Sequence, residues 1–157
     1  MANVAFSKLG LKKNQDEKDV FIVGKDGEQI SINVKQYLPI SEKLEIVTNV
    51  INACVREDTN YMNPIEVDMW FDLEVIFRYT NLSFTEKQKE EIDKLYDLLC
   101  GNGVIAAVRA AMCSEEFNEL QDGLRRTVSA LYAYRNSAVG ILETISTDYK
   151  NLDYDVT

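Results

Sequence analysis

Histidine is absent from all 157 residues. Without it the chain lacks the side chain that most often moves protons near neutral pH, and the commonest zinc ligand, so histidine-based triads are excluded. Proline occurs twice and glycine seven times, a scarcity that favours helix over a turn-rich β architecture. The only cysteines, Cys54, Cys100 and Cys113, are odd in number and form no Cys-x-x-Cys pair. That pattern suits small buried residues in a reducing compartment, not a disulfide framework. No apolar run reaches the ~18 residues of a membrane span. The opening Met-Ala-Asn-Val-Ala-Phe-Ser-Lys has no apolar core of a signal peptide, so an intracellular location is expected. Basic residues are outnumbered: 17 Lys and Arg stand against 26 Asp and Glu, a formal charge of −9. Such a charge repels phosphate backbones and anionic lipid, so neither direct nucleic-acid binding nor membrane binding is expected. It permits the opposite case, an acidic protein seated in a basic groove of a partner.

What the chain does have is 46% hydrophobic and 27% charged residues, the balance of one globular domain at this length. Residues 1–18 end in the polar run Lys12-Lys13-Asn14-Gln15-Asp16-Glu17-Lys18 and are expected to form a flexible arm. Val4, Phe6, Leu9 and Leu11 give that arm some capacity to dock. The one clear β signal follows. Val20-Phe21-Ile22-Val23 and the alternating Ile30, Ile32 and Val34 flank an Asp26-Gly27 turn, which predicts a hairpin over 19–35. A two-stranded hairpin is marginal alone and must lie on helices.

Helical spacing then dominates. Leu44, Val47, Ile51 and Val55 predict a helix over about 42–55 capped by Ser41. Asn63-Pro64 reads as an N-cap with proline in the first turn of a helix running to about 80. Val67, Trp70, Phe71, Val75 and Ile76 form its apolar face, with Trp70 as a core anchor and Glu66, Asp68, Asp72 and Glu74 off that face. Residues 56–60 read as a loop. Thr85 and Gln88 make a capping box for a helix over 86–99, which Gly101-Asn102-Gly103 ends. A short alanine-rich helix over 104–112 follows. Apolar residues at 117, 120, 124, 128, 131, 134, 138, 141 and 145 then recur by threes and fours, one stripe on a helix over 114–149. Some 35 residues at 1.5 Å each predict a rod of roughly 50 Å. Inside it, Asn136-Ser137-Ala138-Val139-Gly140 places small residues where glycine costs roughly 1 kcal/mol relative to alanine. That spacing fits a close crossing within the monomer, a crossing with a partner chain, or a hinge.

Signatures of chemistry are missing. Asp68 and Asp72 are four apart, but no histidine completes a carboxylate-bridged metal site. Gly24-Lys25-Asp26-Gly27 is a turn without the Gly-Lys-Ser/Thr of a phosphate loop. No Gly-x-Ser-x-Gly occurs. No catalytic residue, metal or cofactor is expected.

Several strings do carry a likeness. They are Lys35-Gln36-Tyr37-Leu38-Pro39, Tyr79-Thr80-Asn81-Leu82-Ser83-Phe84-Thr85-Glu86-Lys87-Gln88-Lys89, Lys94-Leu95-Tyr96-Asp97-Leu98-Leu99 with Gly101-Asn102-Gly103, and Tyr134-Arg135-Asn136-Ser137-Ala138-Val139-Gly140-Ile141-Leu142-Glu143. Over roughly residues 20–155 the chain resembles small, mostly helical structural-block proteins of tailed bacteriophages and prophages of Gram-positive bacteria. The nearest functional class is a tail assembly chaperone. The resemblance implies a non-catalytic, acidic, helical protein that coats the tape measure protein until tail tube subunits replace it, and it carries over no catalytic residue. The implied partners are other phage structural proteins, the tape measure or tail tube protein among them, and further copies of the chain. The implied setting is the host cytoplasm during assembly. A permanent connector, capsid or tail accessory protein, and an acidic inhibitor of a host defence protein, are the alternatives.

The expected fold is mainly α: an N-terminal β-hairpin packed on a five-helix assembly with a long C-terminal helix. The domain spans 19–149, followed by an acidic tail over 150–157. The residues expected to bind a partner are Leu131, Tyr134, Ala138, Ile141 and Ile145.

Overall fold

The computed structural model describes residues 1–56 and 61–154, so residues 57–60 of the loop expected over 56–60 and the end of the tail at 155–157 lie outside the described residues. After a short 3-10 turn at Phe6–Leu9 come two strands, β1 (Glu17–Val23) and β2 (Gln29–Lys35). Helices make up the rest: α1 (Ile40–Cys54), α2 (Pro64–Tyr79), α3 (Glu86–Glu90), α4 (Ile92–Gly101), α5 (Val104–Ala111), α6 (Ser114–Arg135) and α7 (Ala138–Tyr154). The fold is mainly α with an N-terminal hairpin, as the sequence predicts.

The hairpin closes through Gly27 at φ 77, with the Gly24 amide donating to the Glu28 carbonyl at 2.7 Å. The strands pair antiparallel, with Val20 opposite Ile32 and Glu17 opposite Lys35. Period-2 alternation sends Ile32 and Val34 into the core. Ile30, nearer the turn, extends past the helices and stays exposed, as do Phe21 and Val23 on the outer face. The inner end of β2 is fastened to the loop after α2 by a bridge between Val34 and Thr80 and by the Asn33 amide donating to Asn81 Oδ1 at 3.0 Å.

α2 is the central helix. Its residues 71–76 are buried without a break, so the helix has no solvent face there. Asn63 Oδ1 accepts from the Ile65 amide at 2.9 Å with Pro64 beside it, the cap expected of that dipeptide. The Thr85–Gln88 capping box also forms. α1 begins one residue before Ser41, with Pro39 at the N-cap, so Ser41 lies inside the helix and caps nothing. Phe71 stacks tilted on Phe117 of α6 at 5.7 Å, and Phe77 meets Phe84 edge-on at 5.3 Å.

Two expected helices are interrupted, so the helices outnumber the five predicted. The segment over 86–99 bends at Glu91, which leaves helical geometry at φ −95 and ψ 60. The predicted 50 Å rod is likewise two helices, α6 of 22 residues and α7 of 17. Asn136 ends α6, with its amide on the Tyr132 carbonyl at 3.0 Å. Ser137 then starts α7: its Oγ accepts from the Gly140 amide at 3.1 Å, the geometry of a serine N-cap bonded to the third helical residue. α7 continues to Tyr154, through the first part of the expected tail.

The small-residue cluster therefore serves a corner within the chain. A Cβ at Gly140 would lie against the Tyr134 carbonyl and 3.0 Å from the Cα of Arg135. Replacing Gly140 with alanine is expected to open this corner. Amide hydrogen exchange of 136–150 should accelerate, while exchange of α2 stays at wild-type rates. Unchanged protection of α7 in that variant would show that the close approach carries no weight.

Candidate partner-binding surface

The apolar stripe over 117–145 divides into a covered half and an open half. Leu120 and Leu124 are buried, and Phe117, Val128 and Leu131 pack half-buried against the core. Beyond Leu131 the cover ends. Between 138 and 150 only Gly140 is buried. Ile141 is 48% exposed, Leu142 65%, Ile145 58% and Tyr149 68%. Of the five residues expected to bind a partner, Leu131 belongs to the rim of the core. Tyr134 sits at the corner, half-exposed, with its hydroxyl donating to Glu143 of α7. Ala138, Ile141 and Ile145 share an uncovered face of α7. Leu142 and Tyr149 are exposed on the same helix: Leu142 lies four residues from Ala138 and three from Ile145, and Tyr149 four from Ile145.

The position of that face is set by polar contacts deep in the core. Glu116, in the first turn of α6, is buried. Its Oε1 accepts from the Leu38 amide at 3.0 Å and from the Tyr79 hydroxyl at 2.8 Å, and its Oε2 accepts from Lys43 at 2.9 Å. One carboxylate thus joins the exit of the hairpin, α1 and α2 to α6. Burial, followed by the bond to Glu116, pushes the Tyr79 hydroxyl far above its ordinary pKa, so it stays a protonated donor. Further along α6, the Tyr132 hydroxyl accepts from the Met62 amide at 2.8 Å and donates to the Met62 carbonyl at 3.1 Å. That is where α6 is last tied to the segment before α2.

Asp72 and Glu74 of α2 are also buried, against the expectation that they lie off the core face. Asp72 is paired with Arg109 of α5, and Arg109 also lies over the Phe117 ring at 5.4 Å. Burial raises the Asp72 carboxyl above its usual range, with Arg109 opposing the shift. Burial likewise raises Glu74, against the pull of Asn49 at 3.5 Å and Arg78 at 3.7 Å. Burial, with Glu66 nearby, pushes the Cys54 thiol up to about 12, so it serves as an apolar filler.

Asp72 with Arg109 ties α2 to α5, and Glu74 with Asn49 ties α2 to α1. Among the described residues no group of three or more acidic or cysteine side chains converges as a metal would need, and no helix is long and apolar enough to cross a membrane. Comparison with known protein families, curated proteins and solved structures finds no match to this chain.

Two outcomes are expected. Glu116→Ala leaves Lys43 without its counter-charge and the Leu38 amide and Tyr79 hydroxyl without an acceptor, a loss of about 3–5 kcal/mol in urea denaturation; Glu116→Gln should cost less. Glu74 has a folded pKa above its unfolded one, so its contribution is fully present below about pH 4 and is lost as pH rises through the folded value. Glu74→Gln removes that dependence, and stability measured from pH 4 to 7 should fall less with pH than in the wild type.

Proposed function

We propose that this protein acts without catalysis, by binding other proteins during assembly of a tailed phage virion, in the manner of a tail assembly chaperone. The observation that carries the reading is α7: a helix of 17 residues that keeps Ile141, Leu142, Ile145 and Tyr149 in water. A helix of that length is marginal in isolation, because its stability normally comes from packing an apolar face on something else. Its stripe fits the helix-in-groove mode of recognition, in which residues at i, i+3, i+4 and i+7 anchor an amphipathic helix to a partner. The partner in this reading is a helical phage structural protein, as the family resemblance implies, and Tyr134 and Ala138 lie at the edge of the contact. The overall charge of −9 supports the same reading, since it keeps an apolar face soluble until a partner arrives.

The test is co-expression with the structural genes of a tailed phage of a Gram-positive host. A tape measure or tail tube protein should be recovered with the wild type and lost with Ile141→Asp/Ile145→Asp, which alters only exposed positions. Recovery undiminished in that variant overturns the use of α7. Presence of the protein in purified particles at fixed copy number overturns the chaperone role and favours a permanent virion component.

A further inference from the structure

A second pair of surfaces, separate from α7, is matched in both charge and greasiness. Residues 1–15 contain Lys8, Lys12 and Lys13, while all 26 carboxylate side chains of this acidic protein come later in the chain. Within that segment the 3-10 turn Phe6–Leu9 ends at Gly10, whose φ is 60. In such a turn residues three apart eclipse each other, so Phe6 and Leu9 share one side. They are 75% and 57% exposed. The arm thus presents a small apolar knob followed by positive charge.

The complementary surface is a groove of ≈ 770 Å³ between α2 and α4, within the ~300–1,000 Å³ typical of binding pockets. Met69, Trp70, Ile92 and Tyr96 line it and are only half-buried. Glu90, Asp93 and Asp97 edge it. Arg56 is the one cation among its described lining residues and is already held by Glu66 at 3.2 Å. The groove therefore combines an aromatic floor with uncompensated negative charge.

The arm does not occupy the groove of its own chain: none of its residues lines that groove, and Phe6 and Leu9 are exposed. The Asp16 carbonyl accepts from the Gln36 amide at 2.8 Å, and Lys13 to Glu17 line a pocket with Tyr37, Pro39 and Glu42 at the start of α1. The groove opens beside Ala53, at the other end of that helix, roughly 16 Å away along its axis at 1.5 Å per residue.

We infer that the N-terminal arm of one copy docks in the α2–α4 groove of a second copy, with Phe6 and Leu9 on the Trp70 floor and the lysines beside Glu90, Asp93 and Asp97. The contact joins unlike surfaces, so it closes as a reciprocal dimer or a larger ring, or continues as an open array.

The experiment is sedimentation velocity of the full chain at low salt across micromolar to submillimolar concentration. The Ile141→Asp/Ile145→Asp background keeps association through α7 out of the result. That background protein should associate with concentration. Its association should weaken at least about tenfold near 0.5 M salt, where exposed charges are screened. Lys8→Glu/Lys12→Glu/Lys13→Glu and Glu90→Lys/Asp97→Lys should each sediment as monomers. Mixed together they should associate, because each reversed arm then meets a groove of opposite charge. Phe6→Ser/Leu9→Ser, outside the folded core, should also be monomeric. A monomer at every concentration in the background protein overturns the proposal. So does association that survives arm reversal, or a mixture of the two reversed proteins that stays monomeric.

Discussion

Glu116 holds the two halves of the molecule in register. A carboxylate removed from water is costly unless its oxygens are matched by donors. Glu116 meets that condition with three donors from three different segments: the Leu38 amide, the Lys43 ammonium and the Tyr79 hydroxyl. Apolar burial alone would allow α6 to slide along α1 and α2 by a turn at modest cost, because leucine rows look similar one turn on. A charged acceptor cannot slide without stranding its donors, so it selects one register. Asp72 with Arg109 repeats the device between α2 and α5.

That register determines where the apolar stripe leaves the core. With its first turn anchored at Glu116, α6 lays Leu120 and Leu124 into the interior and Leu131 at the margin. Tyr132 grips Met62 at that margin. Past it there is no more core to cover a straight helix, and the chain turns at Asn136–Ser137. Tyr134 bonded to Glu143, and Gly140 against the Tyr134 carbonyl, hold the corner once it is made. The exposed face of α7 is thus placed by the interior.

Local chemistry was legible where one residue type has one dominant use. Asp26-Gly27, Asn63-Pro64 and Thr85 with Gln88 each satisfy a specific backbone need, and each formed as read. The buried acids were illegible because their partners lie far along the chain: Glu116 needs Lys43 and Tyr79, and Asp72 needs Arg109. A hint existed in spacing, since Glu116, Leu120 and Leu124 fall on one row of a helix. The break at Asn136–Ser137 was obscured by periodicity, because the three-and-four spacing of apolar residues runs on across those two residues. Serine following asparagine was the available sign, because both side chains compete for backbone hydrogen bonds that a helix would use. Of the five residues expected to bind a partner, the two isoleucines and Ala138 are exposed, because the core runs out before α7. Leu131 is half-buried against the core, because the same periodicity that marks an open face also marks a covered one.

The division between interior and periphery is also chemical. Inside, helices are joined by matched charges and hydroxyls that fix geometry. At the periphery, the arm, the outer face of the hairpin and α7 expose Phe6, Leu9, Phe21, Val23, Ile141 and Ile145. A protein with a net charge of −9 tolerates such residues in water, since like charges oppose the approach of further copies. Salt screens that repulsion beyond about 10 Å, and in close contact apolar burial opposes it. Proteins that must stay dispersed and then assemble need both properties on one surface. In the proposed reading the acidic residues oppose the approach of like copies, and the uncovered helix supplies the apolar contact.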